Sequence, residues 1–394
     1  MIRRFRFKNF YSFAEEQEIS FQVGKKPARS WFDITLDEAS GERLNKVTAI
    51  VGANGSGKTH ALRPLAFLSW FVCRSVMHKP EDKIAYMPHL LKGEDEATQL
   101  ELDFILDGED YRYKLELTRE AVLHESLHKK TSRLYSYIFT RDKAESGYLV
   151  KQKGFGFPRA QAEIIRGNTS LIGSGNLRDL EQARRFYDFF DAICSNISNY
   201  GRTHYADHQL FEAAEFLQKT PELAQQVSRH ICDLDLGISK VEINKFRNNN
   251  PDERAAYVPH GIHETQAGSF KLPFMLESSG TKSAYVLLSR IVPVLEYGGV
   301  AVVDELDNDL HPHMISYILD LFRFEHSNPH NSQLIFTCHS PEVLNALQKH
   351  QVYLTEKVDL CSESWRMDEV VGLRADDNLY AKYMSGALGA VPEL

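Results

Sequence analysis

The chain has 394 residues, of which 43% are hydrophobic and 25% are charged, and its formal net charge is -8. This length allows one large domain with an insertion, or two domains, and the composition is that of a globular protein with an ample core. The acidic balance argues against a protein that coats nucleic acid, although a local basic patch is compatible with it. The N-terminus lacks a signal-peptide core, and the most apolar stretch, 61–77, contains two arginines and a proline, so we expect no membrane span.

The five cysteines include no C-x-x-C pair, which predicts neither a disulfide framework nor a zinc site and favours a reducing cytoplasm. Residues 2–10 alternate basic and apolar side chains, and residues 18–23 alternate again, so the chain is predicted to begin with a β-hairpin. The basic side chains of this hairpin allow two interpretations. They form a solvated strand face, which we favour, or they contact nucleic acid.

The stretch 47–59 contains the strongest motif. A short apolar run is followed by an octapeptide that matches G-x-x-x-x-G-K-[ST] at every position: Gly52, Ala53, Asn54, Gly55, Ser56, Gly57, Lys58 and Thr59. Glycines let successive N–H groups point at phosphate oxygens, and the next helix adds the positive end of its dipole. Lys58 is expected to reach the β- and γ-phosphates, and Thr59 to bind Mg²⁺. The stretch therefore predicts a nucleoside triphosphate site rather than a plain Gly-rich turn.

The segments after this loop predict a mixed architecture. Residues 60–77 are long and apolar enough to form the helix that packs on the central sheet, with Pro64 in its first turns. From 98 to 127 the pattern has period two, which predicts three antiparallel strands. A phosphate-loop domain that carries an antiparallel sheet is an α/β protein with a mixed rather than a purely parallel sheet.

The middle of the chain has a weaker and more helical pattern, with helices predicted at 176–194, 209–218 and 221–234. We interpret 128–270 as a mainly helical insertion between 1–127 and 271–394, the two parts of the nucleotide-binding domain. The basic cluster at 128–133 near its start is a solvated turn or a phosphate contact, and the first is favoured.

A second apolar strand, at 298–303, leads directly into Asp304 and Glu305. A buried parallel strand places its last residues at the sheet edge where ligands bind. Asp304 is then suited to hold Mg²⁺ through water, and Glu305 to orient or deprotonate the attacking water.

Three further segments, 277–283, 306–310 and 333–340, follow in order around this strand. In order and spacing they resemble the signature loop, D-loop and switch histidine of ABC-type ATPases, the group that includes the SMC, RecF and OLD-like proteins. The signature here is ESSGT where transporters carry LSGGQ. Ser278 and Gly280 match the serine and the second glycine, whereas Ser279 departs from the first glycine. No segment matches the glutamine loop well, and Gln99 is the one candidate.

This resemblance implies a P-loop ABC-ATPase-type fold, ATP and Mg²⁺ as ligands, and a homodimer or higher oligomer that assembles head to tail around ATP. Ser278 and Gly280 would dock on the γ-phosphate bound by the other protomer, because a helix N-terminus with a hydroxyl and an N–H binds anions. His339 would contact the same phosphate and hold the attacking water. Asp307 would signal across the interface.

More closely, segments at both ends of the chain resemble the stand-alone ATPases of bacterial anti-phage modules, of the RloA or abortive-infection type. The segments are 5–13, 111–127, 277–283, 304–312 and 377–392. The resemblance implies an ATPase that controls a separate effector protein, a nuclease or a toxin, since too few residues follow His339 for the nuclease domain of OLD-type relatives.

Two other functions remain open. One is a RecF- or SMC-like ATPase that binds DNA in repair or maintenance. The absence of sustained heptads and the acidic balance disfavour it. The other is a scaffold that binds ATP but scarcely hydrolyses it, which the carboxylate of Glu305 disfavours.

Overall fold

The computed structural model describes residues 1–25, 27–93, 96–198, 201–203, 206–234, 236–246, 255–374 and 376–391. Backbone contacts divide the chain into two compact units. The first comprises Met1–Arg202, Gly299–Glu305 and Asn331–Leu394, and the second comprises Thr203–Gly298 and Leu306–His330. Neither unit is a continuous stretch of sequence.

The elements follow one another in this order. The chain begins with β1 (Ile2–Lys8), β2 (Gln17–Ser20), β3 (Gln22–Val23), β4 (Asp33–Asp37), β5 (Glu42–Asn45), β6 (Val47–Gly52) and α1 (Lys58–Arg74), which ends in the 3₁₀ turn Ser75–Met77. It continues with β7 (Thr98–Leu106), β8 (Glu109–Leu117), β9 (Val122–Lys130), β10 (Tyr135–Lys143), β11 (Tyr148–Gln152), α2 (Arg159–Glu163), α3 (Leu171–Asn176) and α4 (Glu181–Asp191).

The middle elements are β12 (Ile193–Ser195), β13 (Ile197–Ser198), β14 (Gly201–Arg202), α5 (Asp207–Lys219), α6 (Pro221–Asp233), β15 (Lys240–Phe246), β16 (Ala256–Thr265), β17 (Gly268–Pro273) and the 3₁₀ turn Phe274–Leu276. The last are α7 (Ser279–Tyr297), β18 (Val300–Val303), α8 (Pro312–Arg323), β19 (Gln333–Thr337), β20 (Val352–Val358), β21 (Cys361–Arg366) and α9 (Leu379–Met384), with 3₁₀ turns at Pro341–Asn345, Lys349–Gln351 and Met367–Glu369.

The central sheet of the first unit has the strand order β12-β18-β19-β6-β20-β21, and every pairing from β12 to β20 is parallel. All residues of β18 and β19 are buried, which is why β18 is apolar throughout and the three central residues of β19 are apolar. Parallel pairing brings the carboxyl ends of β6, β18 and β19 to one edge of the sheet. The predicted α/β class with a phosphate loop is confirmed.

An antiparallel sheet in the same unit has the order β11-β10-β9-β8-β7-β1-β2. The strands predicted between 98 and 127 are β7, β8 and β9, and the predicted hairpin at the N-terminus is β1 with β2. In β8 buried residues alternate with partly exposed ones, as expected for a sheet with one face on the core. The predicted antiparallel subdomain is therefore present.

The basic side chains of β1 are neutralised within the molecule. Their carboxylate partners lie 2.6–2.9 Å away: Arg4 pairs with Asp103, Arg6 with Glu18 and Lys8 with Glu96. In the basic cluster at 128–133, Lys129 pairs with Glu109 and Lys130 with Asp110, the first two residues of β8. These pairs favour a solvated strand face over a surface for nucleic acid.

The stretch 128–270, predicted to be mainly helical, contains α2 to α6 but also β10 to β16. Strands β10 and β11 extend the antiparallel sheet by pairing with β9 and with each other, so the first unit continues to Arg202. The predicted boundary at 127 falls inside β9. Both faces of β10 carry polar and apolar residues, and its alternation is therefore weak in the sequence.

The second unit contains α5 to α8 and the antiparallel sheet β15-β16-β17. Helix α7 packs against α5 and α6, and the sheet packs against α5 and α6. Within the described part of the chain, no helix combines the length and apolar character that crossing a membrane requires.

The first unit also contains a buried ion pair between β9 and β10. Arg141 and Glu125 are both fully buried and lie 3.3 Å apart. Arg141 also donates to the carbonyl groups of Ile165, Arg166 and Thr169, so this one side chain ties β10 to the loop before α3.

We expect Arg141→Met to lower the free energy of unfolding by about 3–5 kcal/mol, because it leaves the Glu125 carboxylate buried without its cation. Urea denaturation would measure the change. The matched control is Arg29→Met, which breaks the exposed pair with Glu38 and should cost less than about 1 kcal/mol. Equal costs for the two substitutions would contradict the role of Arg141.

Candidate functional site

The phosphate loop requires glycine at two positions for steric reasons. A Cβ atom on Gly52 would lie 2.1 Å from the carbonyl oxygen of Thr355, on the neighbouring strand β20. Gly57 has a left-handed φ of 113°, and a Cβ atom there would lie 2.3 Å from Ser362 Oγ. Since both neighbours belong to ordered strands, a larger residue would displace the loop.

Hydroxyl groups from both ends of the chain hold the loop from behind. Ser362 Oγ lies 2.7 Å from the Ser56 carbonyl oxygen and 2.8 Å from Ser12 Oγ. Ser12 Oγ in turn lies 2.7 Å from Nδ1 of His60 in the first turn of α1. Burial, with the nearby charges of Arg63 and Lys357, lowers the pKa of His60 to about 4, so this imidazole is neutral at pH 7.

The Lys58 side chain is folded back along the loop. Its Nζ donates to the carbonyl oxygens of Gly52 and Ala53, at 2.9 and 3.0 Å. The ammonium group is therefore at the mouth of the loop, within the curve of backbone that the glycines create. This is the position from which a lysine neutralises phosphate charge.

Asp304 follows β18 and is only 1% exposed. Its carboxylate accepts from the hydroxyl groups of Thr59, at 2.9 Å, and Thr337, at 2.6 Å. Burial raises the pKa of Asp304 above its ordinary value, and the adjacent charge of Glu305 opposes ionisation further. A bound cation would compensate this buried charge. The pairing of a loop threonine with an acidic residue at a strand end fits Mg²⁺.

Glu305 has a left-handed backbone, with φ of 50°, and its N–H donates to Thr337 Oγ1 at 2.7 Å. One carboxylate oxygen lies 3.3 Å from His339 Nε2, and the other forms an ion pair with Arg202 of β14. Burial tends to raise the pKa of Glu305, but the hydrogen bonds and charges of His339 and Arg202 outweigh it and lower the pKa. The carboxylate is thus held ionised and oriented, as a general base requires.

Three residues of this site had no role predicted from the sequence: Asn196, Arg202 and Thr337. Asn196 follows the edge strand β12, whose parallel pairing with β18 places it beside Asp304. Its amide donates to the Asp304 carbonyl at 3.0 Å and accepts from the Asp304 N–H at 2.8 Å. These two bonds fix the backbone at the end of β18.

The predicted residues of the first unit share one cleft of about 1380 Å³. The residues from the prediction that line it are Gly52, Asn54, Gly55, Gly57, Lys58, Thr59, Asp304, Glu305 and His339. Ser56 is buried beneath them. Gln99, the candidate for the glutamine loop, lies on β7 and is not among the residues that line the cleft.

A family model described as "AAA domain, putative AbiEii toxin, Type IV TA system" matches residues 47–345. This range begins at the strand before the phosphate loop and extends past His339. The chain belongs to this AAA family. With the site described above, the match supports a nucleotide-hydrolysing ATPase.

Among solved structures, this AAA-family chain is similar to two SMC head domains. The head domain from Thermotoga maritima is 17% identical, with a TM-score of 0.42, and the match covers 93% of this chain and 98% of that one. The head domain from Pyrococcus furiosus, solved with an extended coiled coil bound to the C-terminal domain of ScpA, is 12% identical, with a TM-score of 0.45 and coverage of 93% and 97%. No curated protein sequence matches significantly.

The remaining predicted residues of this AAA-family chain, Ser278, Gly280 and Asp307, belong to the second unit. Ser278 caps α7 by accepting from the Thr281 N–H at 3.2 Å. A Cβ atom on Gly280 would lie 2.8 Å from the carbonyl oxygen of Asp309, so the signature loop packs closely on the segment that contains Asp307. Their predicted roles toward a second protomer stay predictions.

Proposed function

We infer that the chain is an ABC-type ATPase that dimerises head to tail around ATP and controls a separate effector protein, a nuclease or a toxin, in anti-phage defence. The single observation that supports hydrolysis best is the arrangement at the ends of β18 and β19. A buried Asp304 bonded to Thr59 of the phosphate loop lies beside a glutamate that is oriented by Arg202 and His339. A scaffold without turnover does not need such a glutamate.

Each group in the cleft has a separate task in this function. Thr59 and Asp304 would hold Mg²⁺, which when bound would neutralise charge on the phosphates. Lys58 and the N–H groups of the loop bind the phosphate oxygens. Glu305 takes a proton from the attacking water, and His339 lies close enough to Glu305 to orient the same water.

The head-to-tail dimer is supported by the N-terminus of α7. This helix runs for 19 residues, with Ser278 as its N-cap and Gly280 in its first turn. A helix of this length has the partial positive charge that favours a phosphate at its start. In the proposed dimer, the γ-phosphate held by one protomer binds at this position on the other.

Mixing two inactive variants tests the dimer. Lys58→Ala inactivates the phosphate loop of one chain, and Ser278→Arg blocks the signature loop of the other. A mixed dimer therefore keeps one intact composite site, made of the phosphate loop of the second chain and the signature loop of the first. We expect each variant alone to be inactive and an equal mixture to recover about a quarter of the wild-type ATPase rate, by random pairing. Ser316→Arg, at an exposed serine of α8, is the matched control and should stay active. Full activity of Ser278→Arg would contradict the dimer.

Effector control rests on the resemblance to anti-phage ATPases and on the family description, which associates the AAA domain with a Type IV TA system and calls the domain itself a putative toxin. Affinity purification of the tagged chain from its native host should recover one protein in a fixed ratio. The amount of this protein that is retained should differ between Glu305→Gln, which would stay bound to ATP, and Lys58→Ala, which would stay free of nucleotide. Recovery that is the same in both variants would contradict nucleotide-dependent control.

The alternative is a RecF- or SMC-like DNA-binding ATPase. The ion pairs of Arg4, Arg6 and Lys8 disfavour it, because these side chains already have carboxylate partners. DNA binding that falls steeply as salt increases would favour this alternative instead.

A further inference from the structure

The C-terminal segment forms one wall of the cleft that contains the phosphate loop. Residues 379–391, which comprise α9 and the turns after it, are called here the C-terminal strap. The strap residues that line the cleft are Tyr383, Met384, Ser385, Gly386 and Val391. Pro392, the last residue of the resembling segment 377–392, lies outside the described residues. None of the catalytic roles described above is assigned to a residue of the strap.

The strap crosses the mouth of the cleft from one side of the phosphate loop to the other. Helix α9 packs against the 3₁₀ turn Pro341–Asn345, which follows β19. At the other end of the strap, the Ala390 N–H donates to Glu356 Oε2 of β20 at 2.9 Å. In the central sheet β6 lies between β19 and β20. The strap therefore passes over the loop in which β6 ends.

Internal contacts give the strap a defined shape. The Tyr383 hydroxyl donates to the Ala390 carbonyl at 3.1 Å and closes the turns that follow α9. Gly389 has a left-handed φ of 71°, and a Cβ atom there would lie 3.3 Å from Glu356 and 3.4 Å from Trp365. The strap is thus packed closely on β20 and β21 rather than being a loose tail.

The order of the central strands indicates which part of a nucleotide faces the strap. Asp304 and Glu305 follow β18 and His339 follows β19, so all three lie on one side of β6. The phosphate that reacts must point to that side. The rest of the molecule then extends toward β20, where Lys357 and the end of the strap line the cleft. The bond between Tyr383 and Ala390 folds the end of α9, which carries Met384, back onto this part of the strap.

We propose that the C-terminal strap binds the nucleoside part of the nucleoside triphosphate, with the Met384 side chain in contact with the base or ribose. Met384 lines the cleft and is 56% exposed, so it has apolar area to bury on a planar ring. A flexible, polarizable thioether makes favourable contacts with aromatic rings. This inference rests on the proposed function, because it assumes that the cleft takes a nucleoside triphosphate.

The test compares two methionines that are both exposed. Met384→Ser removes the apolar side chain where the nucleoside would lie without adding charge, whereas Met77→Ser makes the same change just after α1, where the residue is 78% exposed and does not line the cleft. Calorimetry would measure the dissociation constants of ATP and of inorganic tripolyphosphate, each with Mg²⁺. Circular dichroism of both variants would verify that they are folded.

We expect Met384→Ser to raise the dissociation constant of ATP about tenfold and to leave that of tripolyphosphate unchanged, since only ATP carries the nucleoside. Met77→Ser should change neither constant. Equal ATP affinity in the two variants, or a parallel loss of tripolyphosphate affinity, would overturn the assignment of the strap. If the unsubstituted chain binds neither ATP nor tripolyphosphate, the proposed function itself is wrong. This outcome differs from failure of the strap assignment, in which the unsubstituted chain still binds both ligands.

Discussion

Glu305→Gln is expected to lower the turnover number for ATP by about 10²–10⁴-fold, the range that a general base contributes. An amide has nearly the same shape as the carboxylate but does not accept the proton of the attacking water. Because Lys58, Thr59 and Asp304 are unchanged, ATP should still bind. In the proposed dimer the unreacted nucleotide holds the protomers together, so the variant should sediment as a dimer when ATP is present.

Phosphate release would measure the rate, and analytical ultracentrifugation the association state. Glu363→Gln is the matched control, because Glu363 is an exposed glutamate on β21 of the same unit. It should hydrolyse ATP at the wild-type rate. If Glu305→Gln also turned over at that rate, Glu305 would not be the general base and the catalytic assignment would be lost.

Lys58→Ala should abolish nucleotide binding, with a dissociation constant for ATP raised by about 10²-fold or more, as the loss of charge-assisted hydrogen bonds to phosphate implies. The Lys58 ammonium group lies 2.9–3.0 Å from two carbonyl oxygens of the loop, so it is already positioned before phosphate arrives. No other lysine of the loop replaces it.

Calorimetric titration with ATP and Mg²⁺ measures this loss. Lys219→Ala serves as the control, since Lys219 is an exposed lysine of α5 that pairs with Glu215. Its ATP affinity should equal that of the unsubstituted chain. An unchanged affinity in Lys58→Ala, with the fold intact, would mean that the cleft does not bind triphosphate through this loop.

Local patterns predicted the parts of this fold that consist of contiguous residues. The runs before Gly52 and before Asp304 are recognisable as strands because nearly all of their residues are apolar, and period two identified β7 to β9. The same patterns placed Asp304, Glu305 and His339 at one sheet edge, since parallel strands end together. Their catalytic roles are predictions that the experiments above test.

Residues that come together only because distant strands pair have no local sequence pattern that predicts their contact. Asn196 follows a strand of three residues, too short for a recognisable period, and reaches Asp304 only because β12 pairs with β18. Arg202 follows no motif. Ser12 and Ser362 come from opposite ends of the chain and bond to each other behind the phosphate loop. Gln99, the candidate for the glutamine loop, lies on β7 of the antiparallel sheet.

The position of β6 in the central sheet has a consequence for synthesis on the ribosome. Its neighbours are β19 and β20, which are translated only in the last part of the chain. The antiparallel sheet, formed by β1, β2 and β7 to β11, does not depend on late strands, because its last strand ends at Gln152. The apolar β6 therefore stays unpaired while most of the polypeptide is synthesised. During that interval chaperones are expected to bind it. Nascent chains arrested before β19 are expected to lack the nucleotide pocket altogether.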